Sequence, residues 1–252
     1  MLRTRVIPCL LLRDLGLVKT VKFRDPKYVG DPINAVRIFN DKEVDELVFL
    51  DITATVDRRQ PQFGLIEDIA TECFMPFGYG GGIHDIETAS RILKLGSEKV
   101  VLNTAAVNLD LIEEAAQVFG SQSVVVSIDA KQNRRGKYQV FTHSGSFNTK
   151  KEPRQHARDV EAAGAGEIVL TSIDRDGTME GYAIDLLESV TNAVNIPVVA
   201  CGGAGTLEHF REAVIRAKAS AVAAGSMFVF HGPHRAVLIS YPTQEELKRY
   251  LD

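Results

Sequence analysis

A chain of 252 residues with 45% hydrophobic and 25% charged side chains, 20 Gly, 9 Pro, 3 Cys and no Trp has an ordinary globular composition, which excludes disordered, collagenous and disulfide-scaffold classes. Lys plus Arg (29) against Asp plus Glu (33) leaves a net charge of −4, with no basic block to track a phosphodiester backbone, so no nucleic-acid partner is expected. Cys9, Cys73 and Cys201 form no CxxC pair, which points away from a disulfide framework or zinc site and toward a reducing compartment.

Arg3, Arg5 and the apolar run 6–12 imitate a short signal peptide, but Arg13 and Asp14 follow at once with no cleavage site, so the run reads as a first buried strand. β-branched runs follow at 46–51, 76–80, 99–102, 123–129, 167–171, 197–201 and 219–223. Between them lie stretches of helical period, such as 85–95 with Ile86, Ala89, Ile92 and Leu93 on one face, and 183–194 with Ile184, Leu187, Val190 and Val194. Strands apolar on both faces that alternate with amphipathic helices predict a parallel sheet covered by helices. Eight such units predict an α/β fold, a single (β/α)8 TIM barrel over 1–252. The stretch 12–30, with Lys19, Lys22, Arg24 and Lys27, shows no clear pattern and reads as a mobile loop over the barrel mouth. No segment approaches the roughly 18 apolar residues of a membrane span, so a cytoplasmic protein is expected.

The chain also repeats itself. Glu46-Leu-Val-Phe-Leu-Asp-Ile lies on Glu167-Ile-Val-Leu-Thr-Ser-Ile, and Met75-Pro-Phe-Gly-Tyr-Gly-Gly-Gly on Ile196-Pro-Val-Val-Ala-Cys-Gly-Gly, which predicts two half-barrels. Val6-Ile-Pro-Cys-Leu-Leu similarly lies on Val124-Val-Val-Ser-Ile-Asp, so Leu11 corresponds to Asp129 across the pseudo-twofold axis.

Gly80-Gly-Gly-Ile-His-Asp and Gly202-Gly-Ala-Gly each fall between a strand and a helix, where glycine admits an anion close to backbone N–H groups. A tight turn explains one such cluster. Two at symmetry-related positions, with Asn103-Thr104 and Gly225-Ser226 at the next strand ends, point to two phosphate sites and an elongated ligand on the C-terminal face. Asp51, Asp129, Asp174 and Asp176 lie at or just beyond strand ends, where a carboxylate could serve general acid/base chemistry. Helix capping or pairing with Arg13 or Arg175 is the plainer expectation for Asp174 and also fits Asp51. No His stands near these acids in ligand spacing, so neither metal nor cofactor is expected. Arg5, Glu46, Lys99 and Glu167 open strands one, two, four and six, which makes them a salt-bridge plug in the barrel floor or, more sharply, a gate. Cys9 and Cys201 read as small buried side chains, and His143, His231 and His234 as solvated loop residues.

Several stretches resemble the cyclase subunit of imidazole glycerol phosphate synthase: Arg5-Val-Ile-Pro-Cys-Leu, Val18-Lys19, Gly30-Asp-Pro, Asp45-Glu-Leu-Val-Phe-Leu-Asp-Ile-Thr-Ala, Gly80-Gly-Gly-Ile, Lys99, Asn103-Thr-Ala-Ala-Val, Phe119-Gly-Ser-Gln, Ile128-Asp-Ala-Lys, Gly164-Ala-Gly-Glu, Thr171-Ser-Ile-Asp-Arg-Asp-Gly-Thr and Cys201-Gly-Gly-Ala-Gly. The resemblance implies a barrel that receives ammonia from a glutaminase subunit at its N-terminal face, through a gate of Arg5, Glu46, Lys99 and Glu167. It further implies that Gly82, Asn103 and Thr104 hold one phosphate of a ribulosyl-aminoimidazole ligand and Gly177, Gly203, Gly225 and Ser226 the other. Asp129 matches one of the family's two essential aspartates, and Asp176, Asp51 and Lys19 match residues that orient or close over substrate.

The family's other essential aspartate, on strand one, falls where this chain has Leu11, and the tail diverges after Phe228. That combination resembles a paralogous group that serves acetamidino-sugar synthesis for bacterial surface polysaccharides. The leading expectation is therefore an ammonia-receiving subunit redirected from histidine synthesis. A working histidine-pathway cyclase, a sugar-phosphate isomerase of the same half-barrel symmetry and a non-catalytic ammonia conduit stand as alternatives. The isomerase would want an acid on strand one and has no use for the four charges.

Overall fold

A computed structural model describes residues 4–251; Arg3, one of the charges that imitated a leader, lies outside them. The strands in chain order are β1 (Arg5–Arg13), β2 (Gly16–Val21), β3 (Arg24–Gly30), β4 (Leu47–Asp51), β5 (Phe77–Gly80), β6 (Lys99–Leu102), β7 (Val124–Gln132), β8 (Tyr138–Thr142), β9 (Phe147–Asn148), β10 (Glu167–Ser172), β11 (Val198–Cys201), β12 (Ala221–Ala224), β13 (Phe230–His231) and β14 (Ala236–Val237). Between and after them come α1 (Pro32–Asp41), α2 (Phe63–Glu72), α3 (Ile86–Lys94), α4 (Leu109–Phe119), α5 (Pro153–Ala162), α6 (Ile184–Thr191), α7 (Leu207–Ile215), α8 (Ser226–Val229) and α9 (Gln244–Leu251). Parallel pairing runs β1–β4–β5–β6–β7–β10–β11–β12 and returns from β12 to β1, closing the (β/α)8 TIM barrel.

The staves are apolar on both faces because each face meets a different core. On β1, Val6, Leu10 and Leu12 pack outward under the helices, while Ile7, Cys9 and Leu11 pack inward with Val48, Val101, Val125, Val169 and Val199. Burying each such aliphatic side chain contributes about 1.5–3 kcal/mol before entropy is counted. The helices follow their predicted faces: α3 buries Ala89 and Ile92, and Asp85 caps it by accepting the Thr88 N–H at 2.7 Å.

The stretch 12–30 departs from expectation. It is not a patternless loop: β1 continues to Arg13 and turns into the antiparallel pair β2 and β3. Leu17 and Val29 join the outer core, and Lys19 is buried by an acidic partner, so charges that looked like solvated loop residues sit in a ladder. The other half-barrel does the same, since β7 runs on to Gln132 and turns into β8 and β9. Leu11 pairs with Val18 and Asp129 with Phe141, so the two hairpins begin at equivalent points of the repeat. After β12 the tail forms the β13/β14 hairpin and returns beneath the barrel, where the Tyr241 hydroxyl donates to the Val6 carbonyl at 2.9 Å.

Among the buried polar atoms without a hydrogen-bond partner is a ring nitrogen of a histidine. His156 on α5 is 2% exposed, its Nδ1 lacks a hydrogen bond among the described residues, and burial pushes its pKa down to about 4.

Candidate active site

The C-terminal ends of the staves surround a cavity that opens to solvent. Of the residues expected at the mouth, Lys19, Asp51, Gly82, Asn103, Thr104, Asp129, Asp176, Gly177, Gly203, Gly225 and Ser226 line it. Leu11 lines it too, from β1, four staves round the ring from β7 and Asp129. Asp174 does not; its Oδ2 accepts the Gln132 N–H at 2.9 Å, pinning the start of the β7/β8 turn. The partners expected for the acids were also different. Neither Arg13 nor Arg175 meets Asp174, and Asp51 is held by Arg59 at 2.8 Å and by the Thr53 and Ala54 N–H groups.

Asp129 is 8% exposed, accepting from Asn103 Nδ2 at 3.0 Å and from Ser127 Oγ at 3.4 Å. Burial outweighs these bonds and raises its pKa to about 7, which is where a group must sit to both take and give a proton near neutrality. Asp176 is ionic in character: it accepts from Lys19 Nζ at 2.7 Å and from Thr20 Oγ1 at 2.9 Å, both buried. Cys9 is a buried member of the inner core as expected, whereas Cys201 packs against that core and is partly exposed; both line the cavity. The bond to Cys201 and burial hold the Cys9 thiol well above its usual range.

Two glycines are obligatory at the mouth. Gly203 has φ of 121° and a Cβ there would lie 2.2 Å from the Gly181 carbonyl oxygen; Gly177 has φ of 73° and a Cβ would lie 2.3 Å from that of Thr20. The adjacent Ser226 hydroxyl is buried and unpartnered among the described residues, although it lines the cavity. A buried hydroxyl without a partner costs about 1–3 kcal/mol, which a ligand oxygen would recover.

At the opposite end of the barrel the four expected charges meet in one ring. Arg5 bonds both Glu46 and Glu167, and Lys99 Nζ bonds the same carboxylates at 2.7 and 2.9 Å. Burial pulls the Arg5 guanidinium down, but its two carboxylate neighbours together raise it. Above the ring a small void lined by Ile7, Val48, Val125 and Val169 reaches Cys9 and Val101, which also border the mouth cavity.

A family model described as "Histidine biosynthesis protein" matches residues 5–234. A Pseudomonas aeruginosa protein is 56% identical over 98% of this chain and 99% of its own length, and it bears the name "Putative imidazole glycerol phosphate synthase subunit hisF2". The chain belongs to the cyclase-subunit family of imidazole glycerol phosphate synthase. The same name, ending in HisF or hisF3, is carried by a Leptospira borgpetersenii protein 49% identical over 96% of both chains, and by a Vibrio vulnificus protein 48% identical over 100% of this chain and 98% of its own. Within this family site, sequence reasoning missed Arg59, Phe23, Ser144 and Thr171. Thr171 carried a usable signal, since it lies one residue before the end of β10 in register with Asp129. Ser144, whose Oγ donates to the Ile52 carbonyl at 2.6 Å, reaches the cavity on a hairpin that the sequence pattern did not reveal.

Asp129 and His156 impose opposite pH dependences on stability. The Asp129 carboxyl keeps, between 3.8 and about 7, a proton that the unfolded chain has lost, so it lowers stability as pH rises through that window. His156 lacks, between about 4 and 6.5, a proton that the unfolded chain binds, so its contribution is full above 6.5 and is lost as pH falls. Lowering pH from 7 to 5 therefore changes each term by about 2 kcal/mol with opposite sign. Urea unfolding is expected to show little net change in the natural protein, a loss of about 2 kcal/mol in Asp129→Asn and a gain of about 2 in His156→Leu. Equal pH responses in all three proteins would contradict this.

No group of three or more His, Cys, Asp or Glu among the described residues could hold a metal ion, and no described helix is long and apolar enough to cross a membrane.

Proposed function

We propose that this chain is the ammonia-receiving barrel of a cytoplasmic glutamine amidotransferase pair whose chemistry is redirected from histidine-pathway cyclisation to amidation or amidination of a sugar for surface polysaccharide. A glutaminase subunit docks at the N-terminal face, and ammonia passes the ring of Arg5, Glu46, Lys99 and Glu167 into the valine-lined interior. At the mouth, Gly82, Asn103 and Thr104 hold one phosphate of an elongated ligand, and Gly177, Gly203, Gly225 and Ser226 hold the other. Lys19, Asp51 and Asp176 orient it, and Asp129 moves the proton.

The observation that carries the redirection is Leu11, a 92% buried apolar side chain on the cavity wall at the position equivalent to Asp129. A cyclisation that shares proton transfers between two opposed acids has only one here. The second reading is a working histidine-pathway cyclase, which the relatives' names and the otherwise complete mouth favour. Complementation separates the two. Expressed with ample ammonium in a histidine auxotroph lacking its own cyclase subunit, the natural chain is expected not to restore growth. Full growth would overturn the redirected reading.

A further inference from the structure

The β13/β14 hairpin follows the last stave and straddles residue 234, where the family match ends, and it reaches back to the mouth. Arg235, half-buried at its turn, donates through Nη2 to the Gly177 carbonyl oxygen. Its own carbonyl accepts from Lys27 Nζ at 3.4 Å, and Lys27 and Arg235 both stand over the Phe230 ring, 5.4 and 5.6 Å from its centroid. The loop it grips is fixed on its other sides by the mouth itself. Lys22 N–H donates to the Asp176 carbonyl at 2.9 Å, and Gly181 N–H to the Gly203 carbonyl at 2.8 Å. The Gly177 N–H donates to no acceptor among the described residues, and Gly177 borders the same cavity as the unpartnered Ser226 hydroxyl.

We infer that Arg235 is a positioning residue of the second phosphate site: together with the Lys22 N–H on the Asp176 carbonyl, its bond to the Gly177 carbonyl fixes the peptides on both sides of the Gly177 α-carbon, which holds the Gly177 N–H in place for a ligand oxygen, and it sets a permanent positive charge on the peptide that follows. The inference rests on the phosphate reading above. The peptide group is planar, so the Gly177 N–H is oriented by the Asp176 carbonyl that Lys22 holds; with the following peptide held by Arg235, rotation about the Gly177 α-carbon between them is restricted, and a guanidinium stays ionised at every working pH. At the first site the opposite hairpin reaches Thr104 through a backbone group instead, His143 N–H to Oγ1 at 3.0 Å, which carries no net charge.

The test titrates inorganic phosphate into the full chain by NMR, with the amides of Gly82 and Thr104 reporting the first site and those of Gly203 and Gly225 the second. Arg235→Ala is expected to weaken the second site about tenfold, the scale of one charge-assisted hydrogen bond acting at one remove, and to leave the first unchanged. Arg235→Lys is expected to recover part of the loss and the uncharged Arg235→Gln less. Unchanged affinity at the second site in Arg235→Ala would overturn the inference alone. Equal weakening at both sites would also overturn it, as a hairpin that merely supports the fold. Natural protein that binds phosphate at neither site would sink the phosphate reading itself, and the inference with it.

Discussion

With ammonium salts and the ribulosyl-aminoimidazole substrate, the natural protein is expected to turn over about 10² to 10⁴ times more slowly than Leu11→Asp, the usual contribution of one positioned acid or base. Leu11 stands in register with Leu50 and Val18 and packs with Cys9 inside the barrel, so these neighbours are apolar side chains and a thiol and supply no carboxylate at that point of the wall. KM is expected to change less than kcat, because the phosphate contacts come from other staves and act alike on ground and transition states. An aspartate placed there is desolvated, which raises its pKa toward neutrality and lowers stability, so thermal unfolding of the variant should accompany the kinetics. Leu11→Asn separates shape and polarity from proton transfer: it matches the aspartate in size and cannot ionise. A gain in Leu11→Asp that is absent in Leu11→Asn supports the redirected reading. Turnover by the natural protein near 10 per second, an ordinary enzymatic rate, would refute it.

The barrel was legible because its signal is redundant. Each stave buries both faces, so runs such as Lys99–Leu102 stand out from amphipathic neighbours, and the half-barrel repeat states the topology twice. The charge ring was legible for a related reason: charges that open buried strands have few places to go except toward one another. The hairpins were not legible, because β3 exposes most of its residues and its pairing with β2 slips register twice, so no alternation survives along Arg24–Gly30. Asp51 and Asp174 show a different limit. Strand position placed both near the mouth, but their partners, Arg59 on a loop and the Gln132 N–H at the extended end of β7, are brought there by tertiary packing. Arg235 lay furthest from reach, since its contact with Gly177 spans 58 residues and depends on the tail folding back over the mouth.

Lys99→Met is expected to destabilise the protein by about 3 kcal/mol and to uncouple glutamine-derived ammonia from the mouth. Glu46 and Glu167 are 3% and 6% exposed, and each gives one oxygen to Arg5 and the other to Lys99. Removing the ammonium leaves two carboxylates facing each other with one oxygen apiece unpaired. That cost sits at the low end of the range for breaking a buried ion pair, since Arg5 still holds the remaining oxygens. For a barrel of this size it corresponds to a fall in Tm of roughly 6–12 °C. Glu46→Gln combined with Lys99→Met removes a charge from each side and should recover part of the loss, whereas additive losses would mean the ring is not a coupled unit. In complex with its glutaminase, Lys99→Met should retain binding, because the side chain points into the ring, and should retain activity with ammonium salts. Glutamine-dependent activity should fall while glutamine hydrolysis continues. Undiminished glutamine-dependent activity would leave the four charges as a structural plug, and ammonia would need another route to the cavity.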